Sequence, residues 1–121
     1  MSHEQLFEYA REGNLIKLGQ MVAGADLSVT DANGMTALMH AAANNNYKVT
    51  GLMVGTDDSN INAQDNTGKT ALMHAAAVGA SKIVKMLLKK GADPTVTDNE
   101  GKTALNYAEA SGHAKTQQRL R

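Results

Sequence analysis

Cysteine and tryptophan are absent from this 121-residue chain, and proline and phenylalanine occur once each. Without cysteine there is no disulfide, no thiolate metal site and no cysteine nucleophile. A chain of this length buries roughly two thirds of its unfolded surface and can hold a core without staples. With one phenylalanine and three tyrosines, that core must be filled by smaller side chains; alanine and the seven methionines are available. No apolar run approaches the ~20 residues that span a bilayer. The start, Met1-Ser2-His3-Glu4-Gln5, lacks the charged-then-apolar layout of a secretory signal. Twelve basic residues balance twelve acidic ones. That balance argues against a nucleic-acid binder or a polybasic membrane-surface protein. The expectation is one domain, 1–121, soluble and cytoplasmic, with a non-classically secreted effector as the alternative setting.

What the chain does contain is a repeat. Thr36-Ala37-Leu38-Met39-His40-Ala41-Ala42 returns as Thr70-Ala71-Leu72-Met73-His74-Ala75-Ala76 and, drifted, as Thr103-Ala104-Leu105-Asn106-Tyr107-Ala108-Glu109; the offsets are 34 and 33 residues. Ahead of each copy stands a matched turn: Asp31-Ala32-Asn33-Gly34, Asp65-Asn66-Thr67-Gly68 and Asp98-Asn99-Glu100-Gly101. Asp opening such a turn accepts from backbone N–H groups further on, and Gly closing it tolerates positive φ. The Thr two residues later is suited to cap a helix. Ala-Leu-Met-His-Ala-Ala then begins a short helix of strong helix formers, whose Ala pair leaves one face thin enough for a neighbour to approach. The spacing predicts a second helix, best formed over 82–90. There Ile83, Val84, Met86, Leu87 and Leu88 supply the buried side, and Lys82, Lys85 and Lys89 the wet one. Gly91 sits where a helix terminator belongs, and Pro94 prevents continuation.

Turn, helix, loop, helix and a 33-residue period resemble the ankyrin repeat, whose signature runs Asp-x-x-Gly-x-Thr-Pro-Leu-His-x-Ala-Ala and later Leu-Leu-x-x-Gly-Ala-Asp. The copy from Asp65 matches almost throughout, including Leu87-Leu88 and Gly91-Ala92-Asp93. The stretch from Leu6 to Asp26 reads as a degenerate first copy. The resemblance implies an all-α ankyrin-repeat solenoid of four units, at about 1–30, 31–64, 65–97 and 98–121, joined by β-turn loops. Polar outer faces at both ends lead us to expect a complete small array.

The chain departs from the family pattern at two places per unit. The Pro after Thr is Ala37, Ala71 and Ala104, and the family His is Met39, Met73 and Asn106. That family His ties neighbouring turns by hydrogen bonds. Methionine cannot, so Met39 and Met73 are expected to pack in the core. His40 and His74, one residue later, are expected to pack between helices without inheriting the family role. Asn45 falls where the family has Gly, and Asn tolerates the left-handed region. The second unit is the weak one. Gly51 lies inside its second helix, and Gly55-Thr56-Asp57-Asp58-Ser59 replaces the usual exit, so residues 47–60 are expected to open first.

No catalytic or metal site is expected, and no cofactor. The histidines are His3, His40, His74 and His113, and there is no His-Glu-x-x-His, phosphate loop or Gly-x-Ser-x-Gly. Equivalent histidines of adjacent units lie about one helix diameter, ~10 Å, apart, too far to share a metal at ~2.0–2.1 Å from each. Lys82, Lys85, Lys89 and Lys90 form a cluster that suits an acidic or phosphate partner, but the expectation is a solvated face. Charge is polarised: residues 1–64 carry seven acids and three bases, and residues 65–121 five acids and nine bases, hence −4 and +4.

The resemblance implies a non-catalytic protein-binding module. Family members recognise partner proteins through turn tips and the exposed side of first helices. By position these are Ala32, Asn33, Met35, Asn66, Thr67, Lys69, Asn99, Glu100 and Lys102 at the tips, and Arg11, Ala43, Asn44, Ala77 and Val78 at the helix ends. Met35 and Val78 stand out as apolar, while Tyr107 has no settled place. A monomer is expected, with no nucleic acid and no membrane. The alternatives are a self-associating structural unit, suggested by the opposite charges of the halves, and a metal protein using the histidines.

Overall fold

A computed structural model describes residues 3–121; Met1 and Ser2, which belong to the expected first unit, lie outside the described residues. Among the described residues there are eight helices and no strand: α1 (His3–Glu12), α2 (Leu15–Met21), α3 (Ala37–Ala43), α4 (Tyr47–Thr56), α5 (Ala71–Ala77), α6 (Ser81–Lys89), α7 (Ala104–Ala110) and α8 (Ala114–Leu120). They pair in chain order, α1 with α2 and onward to α7 with α8. The first helices of successive pairs stack in one row, and the second helices in another.

The repeat block explains each first helix. Thr36, Thr70 and Thr103 hold extended backbone, and each Oγ1 accepts the N–H three residues on, at 3.3 Å. A cap of this kind contributes about 1 kcal/mol. Asn106 adds the reciprocal bond, its Oδ1 accepting the Thr103 N–H at 2.9 Å, so the drifted copy has the most complete cap. Ala41, Ala42, Ala75, Ala76 and Ala108 are fully buried, and their small side chains let neighbouring helices approach closely. Met39 and Met73, each 1% exposed, pack in the core as expected. Burial of each contributes about 1.5–3 kcal/mol.

In the second row, Ile83, Val84 and Leu87 are fully buried, while Met86 and Leu88 are half-buried and Lys82, Lys85 and Lys89 are exposed. Gly91, at φ +103°, ends α6 as its position predicts. Asn45 takes φ +56°, also as expected. The second unit differs from expectation at its exit. α4 runs on through Gly55 to Thr56 instead of stopping at the glycine. The Thr56 hydroxyl donates to the Leu52 carbonyl at 2.8 Å and the Asp57 N–H to that of Met53 at 2.9 Å, carrying the helical ladder past Gly55.

Candidate interaction surface

Each turn is organised by its aspartate. Asp31 Oδ1 accepts the N–H groups of Asn33 and Met35 at 2.9 and 3.0 Å. Asp65 does the same for Thr67 and Lys69, and Asp98 for Glu100 and Lys102, all at 2.9 Å. The second carboxylate oxygen faces the first helix of the same unit. His40 Nε2 lies 2.7 Å from Asp31 Oδ2, and His74 Nε2 2.9 Å from Asp65 Oδ2. In the last unit the Tyr107 hydroxyl donates to Asp98 Oδ2. His40 and His74 therefore do more than pack between helices: each latches its helix to its own turn. They can do so because the residue after the family's His position, nine residues beyond the aspartate, points back at the turn.

The electrostatics follow from this latch. Burial pushes the Asp65 carboxyl up, but the Lys69 N–H, the Thr67 hydroxyl and His74 together hold it below its ordinary value. Asp31 is lowered in the same way, with Met35 N–H and His40 outweighing burial. Asp98 is lowered, chiefly by the Tyr107 hydroxyl. Burial lowers His74, against the pull of Asp65. Burial and the Asp98 carboxylate push the Tyr107 hydroxyl up to about 12.

Neighbouring turns are joined by a ladder. The Asn66 N–H donates to the Asn33 carbonyl and the Asn99 N–H to that of Thr67, both at 3.0 Å. The side-chain amides reinforce it: Asn66 Nδ2 donates to the Ala32 carbonyl and Asn99 Nδ2 to that of Asn66, both at 3.1 Å. The approach is so close that a Cβ on Gly68 would stand 2.6 Å from Asn99 Oδ1 and 2.7 Å from its backbone nitrogen.

The residues expected at the surface divide into two groups. Ala32, Asn33, Asn66, Thr67, Asn99, Glu100 and Lys102 are exposed on consecutive turns, and Arg11, Asn44 and Val78 are exposed at the helix ends. Met35, Ala43, Lys69 and Ala77 are half-buried. Met35 packs against the core, whereas Val78 stays 45% exposed. The amides of Asn66 and Asn99 are committed to the ladder. Arg11 gives its carbonyl to Asn46 Nδ2 at 2.8 Å, and Asn44 Nδ2 returns to the His40 carbonyl at 2.8 Å.

Lys69 and Lys102 are brought together by a residue with no settled place in the sequence reading. The half-buried Tyr107 ring has Lys69 Nζ 5.2 Å and Lys102 Nζ 5.8 Å from its centroid. Lys102 also lies 3.9 Å from Glu100. The available signal was periodicity: Tyr107 replaces His74 at the same register, and a lysine follows the glycine in both of the last two turns. Among the described residues no group of three or more His, Asp or Glu is placed to hold a metal ion, and no helix is long and apolar enough to cross a membrane.

A family model for ankyrin repeats matches residues 6–98 in three copies. The chain belongs to the ankyrin-repeat family. Ankyrin repeats are generally protein–protein interaction modules and are typically non-enzymatic. The pair α7–α8 lies beyond the matched stretch, yet keeps the ankyrin turn, cap and latch through Asp98, Thr103 and Tyr107. No curated protein was found to match the chain.

Proposed function

We propose that the chain is a non-catalytic ankyrin module, a single domain, that binds a partner protein across its turn tips and first helices. The observation that carries this reading is the Tyr107 ring with both Lys69 and Lys102 Nζ close to its centroid, at 5.2 and 5.8 Å. A rigid aromatic ring beside two cations is the kind of anchor on which interfaces concentrate their binding energy. The pair of lysines favours an acidic partner segment. Around this anchor the ladder of turns fixes the backbone, so little order has to be gained on binding. The family's usual role supports the same reading.

Capture of partners by the full chain, beside a Lys69→Glu, Lys102→Glu variant, tests it. Met35 is left intact because it packs against the core. Partners held by the wild type and lost by a variant of unchanged helicity support the surface. Retention of every partner places binding elsewhere. We read the protein as a monomer acting in the cytoplasm, or outside the cell as an effector. Self-association through the oppositely charged halves is the second reading. Sedimentation at low and moderate salt separates the two, since screening over ~8–10 Å weakens such a contact.

A further inference from the structure

We propose that a basic cleft on the row of second helices, remote in register from the turn tips, binds a small polyphosphorylated ligand. The cleft has a volume of about 370 Å³ and is lined by Tyr47, Lys82, Lys85, Met86, Lys89, Lys90 and Arg119. Three units converge there: Tyr47 begins α4, the lysines and Met86 come from α6 and its cap, and Arg119 comes from α8. Five of the seven lining residues are cations and none is an acid.

The fold does not account for this cluster. Among the described residues the salt bridges use Asp31, Asp65, Glu100 and Glu109, and none involves Lys82, Lys85, Lys89, Lys90 or Arg119. Cations near a helix C-terminus are favoured by the helix dipole, which explains Lys89 and Lys90. Lys82 stands in the first turn of α6, where the dipole opposes it, and Lys85 at its middle, where the dipole gives it no support. Lys82 with Lys85 and Lys85 with Lys89 are like-charged neighbours at i,i+3 and i,i+4, an arrangement that destabilises a helix. Arg119 is already positioned, its Nε donating to Ser81 Oγ at 2.9 Å. That bond leaves its terminal nitrogens to address a ligand.

The chemistry of the lining selects the ligand. Lysines bind phosphate as point charges, and arginine adds planar donors. Five cations around one cleft suit several phosphate groups, not a lone carboxylate. The volume lies toward the small end of small-molecule sites. A nucleic-acid duplex would need a far larger surface. Tyr47, 49% exposed, adds a ring and a hydroxyl at the rim. The same phosphates are carried by a free polyol phosphate and by a phosphoinositide headgroup.

The test uses the full chain with inorganic tripolyphosphate, followed by calorimetry, at matched ionic strength against sulfate. A parallel arm uses phosphatidylcholine vesicles with and without a phosphoinositide bisphosphate. Saturable binding of tripolyphosphate is expected, weakened about tenfold or more in Lys85→Gln, Lys89→Gln and unchanged in Lys69→Gln, Lys102→Gln. Circular dichroism confirms that both variants fold. Vesicle binding with the same variant pattern assigns the headgroup as the natural source; its absence assigns the free ligand. No saturable binding in either arm overturns the proposal. So does binding that the cleft variant leaves intact, or that both variants weaken equally. Because the second variant alters the same two turn-tip lysines and leaves the cleft intact, failure here is distinct from failure of the protein-binding reading.

Discussion

Tyr107 stands over Asp98 as His74 stands over Asp65, one unit along the stack. An ionised carboxylate only accepts, so both the tyrosine hydroxyl and the His74 Nε2–H act as donors. The two latches are geometrically alike and chemically different. The tyrosine stays protonated at every physiological pH, its pKa pushed up to about 12. The histidine titrates, and burial lowers its pKa below 6.5.

Stability therefore falls as pH drops below about 6.5. In that window the unfolded chain has protonated this histidine and the folded chain has not, so acid favours unfolding. The lowered Asp65 acts in the same direction at lower pH: its contribution is complete above 3.8 and is lost as pH falls through the lowered folded value. Replacing His74→Tyr copies the last unit's latch into the third. The expected result is a flatter melting temperature between pH 7 and 5 than in the wild type. Removing the latch with His74→Ala strands the buried Asp65 oxygen and costs about 1–3 kcal/mol. Thermal melts across pH check both.

The glycines of the turns are not equivalent. Gly68 and Gly24 both hold positive φ, +85° and +79°. Among the described residues a Cβ at Gly24 meets nothing within 4 Å, whereas one at Gly68 meets Asn99 backbone at 2.7 Å. Gly24→Ala should cost only the left-handed backbone penalty, about 1–2 kcal/mol. Gly68→Ala should cost more, because the ladder between the third and fourth units must also part. Chemical denaturation of the two variants side by side measures the difference.

Thr116 Oγ1 is a buried hydroxyl with no hydrogen-bond partner among the described residues. Its residue is 1% exposed, in α8, at the register that Ile83 and Val49 fill with hydrocarbon in earlier units. Thr116→Val keeps the shape and removes the unmet polar atom. A gain of about 1 kcal/mol is expected, read as a raised denaturation midpoint with an unchanged slope.

How much of this was legible in the sequence depended on how local each feature is. The caps of Thr36, Thr70 and Thr103 were readable because the capping hydroxyl and the N–H that donates to it lie three residues apart. The same holds for the aspartate turns and for Asn45. The burial of Met39 and Met73 followed from their departure from the family pattern. The latch of His40 and His74 was missed, although aspartate and histidine recur nine residues apart in both central copies, because the side chain's direction depends on how the turn folds back onto the helix. The cation pair around Tyr107 joins residues from two units, and the basic cleft joins three. Such groupings need the stacking geometry, which periodicity names without measuring. The exit of α4 was misread for a simpler reason: a glycine can end a helix or be carried through it, and Thr56 with Asp57 decided the matter.

That carried-through helix makes the second unit the place where the stack should yield. α4 holds Gly51 and Gly55, and its Asn46 N-cap makes no side-chain bond to the helix end, so α4 relies on packing by Val49, Met53 and Val54. Asn46 instead donates to the carbonyls of Ala10 and Arg11 at 2.8 Å, tying the loop to the first unit. In a stack of coupled units, a weak interior member opens locally while its neighbours hold. Hydrogen exchange should find the amides of 47–60 less protected than those of 82–90; equal protection would refute a weak second unit. Gly51→Ala should close much of the gap. A Cβ there would rest 3.5 Å from Met86 Cε, an ordinary contact, so the substitution adds helix propensity without a clash and is expected to stabilise by about 0.5–1 kcal/mol. If the variant slows exchange across 47–60 and leaves 82–90 unchanged, the weakness lies in the backbone of α4 itself rather than in the interface it shares with α6.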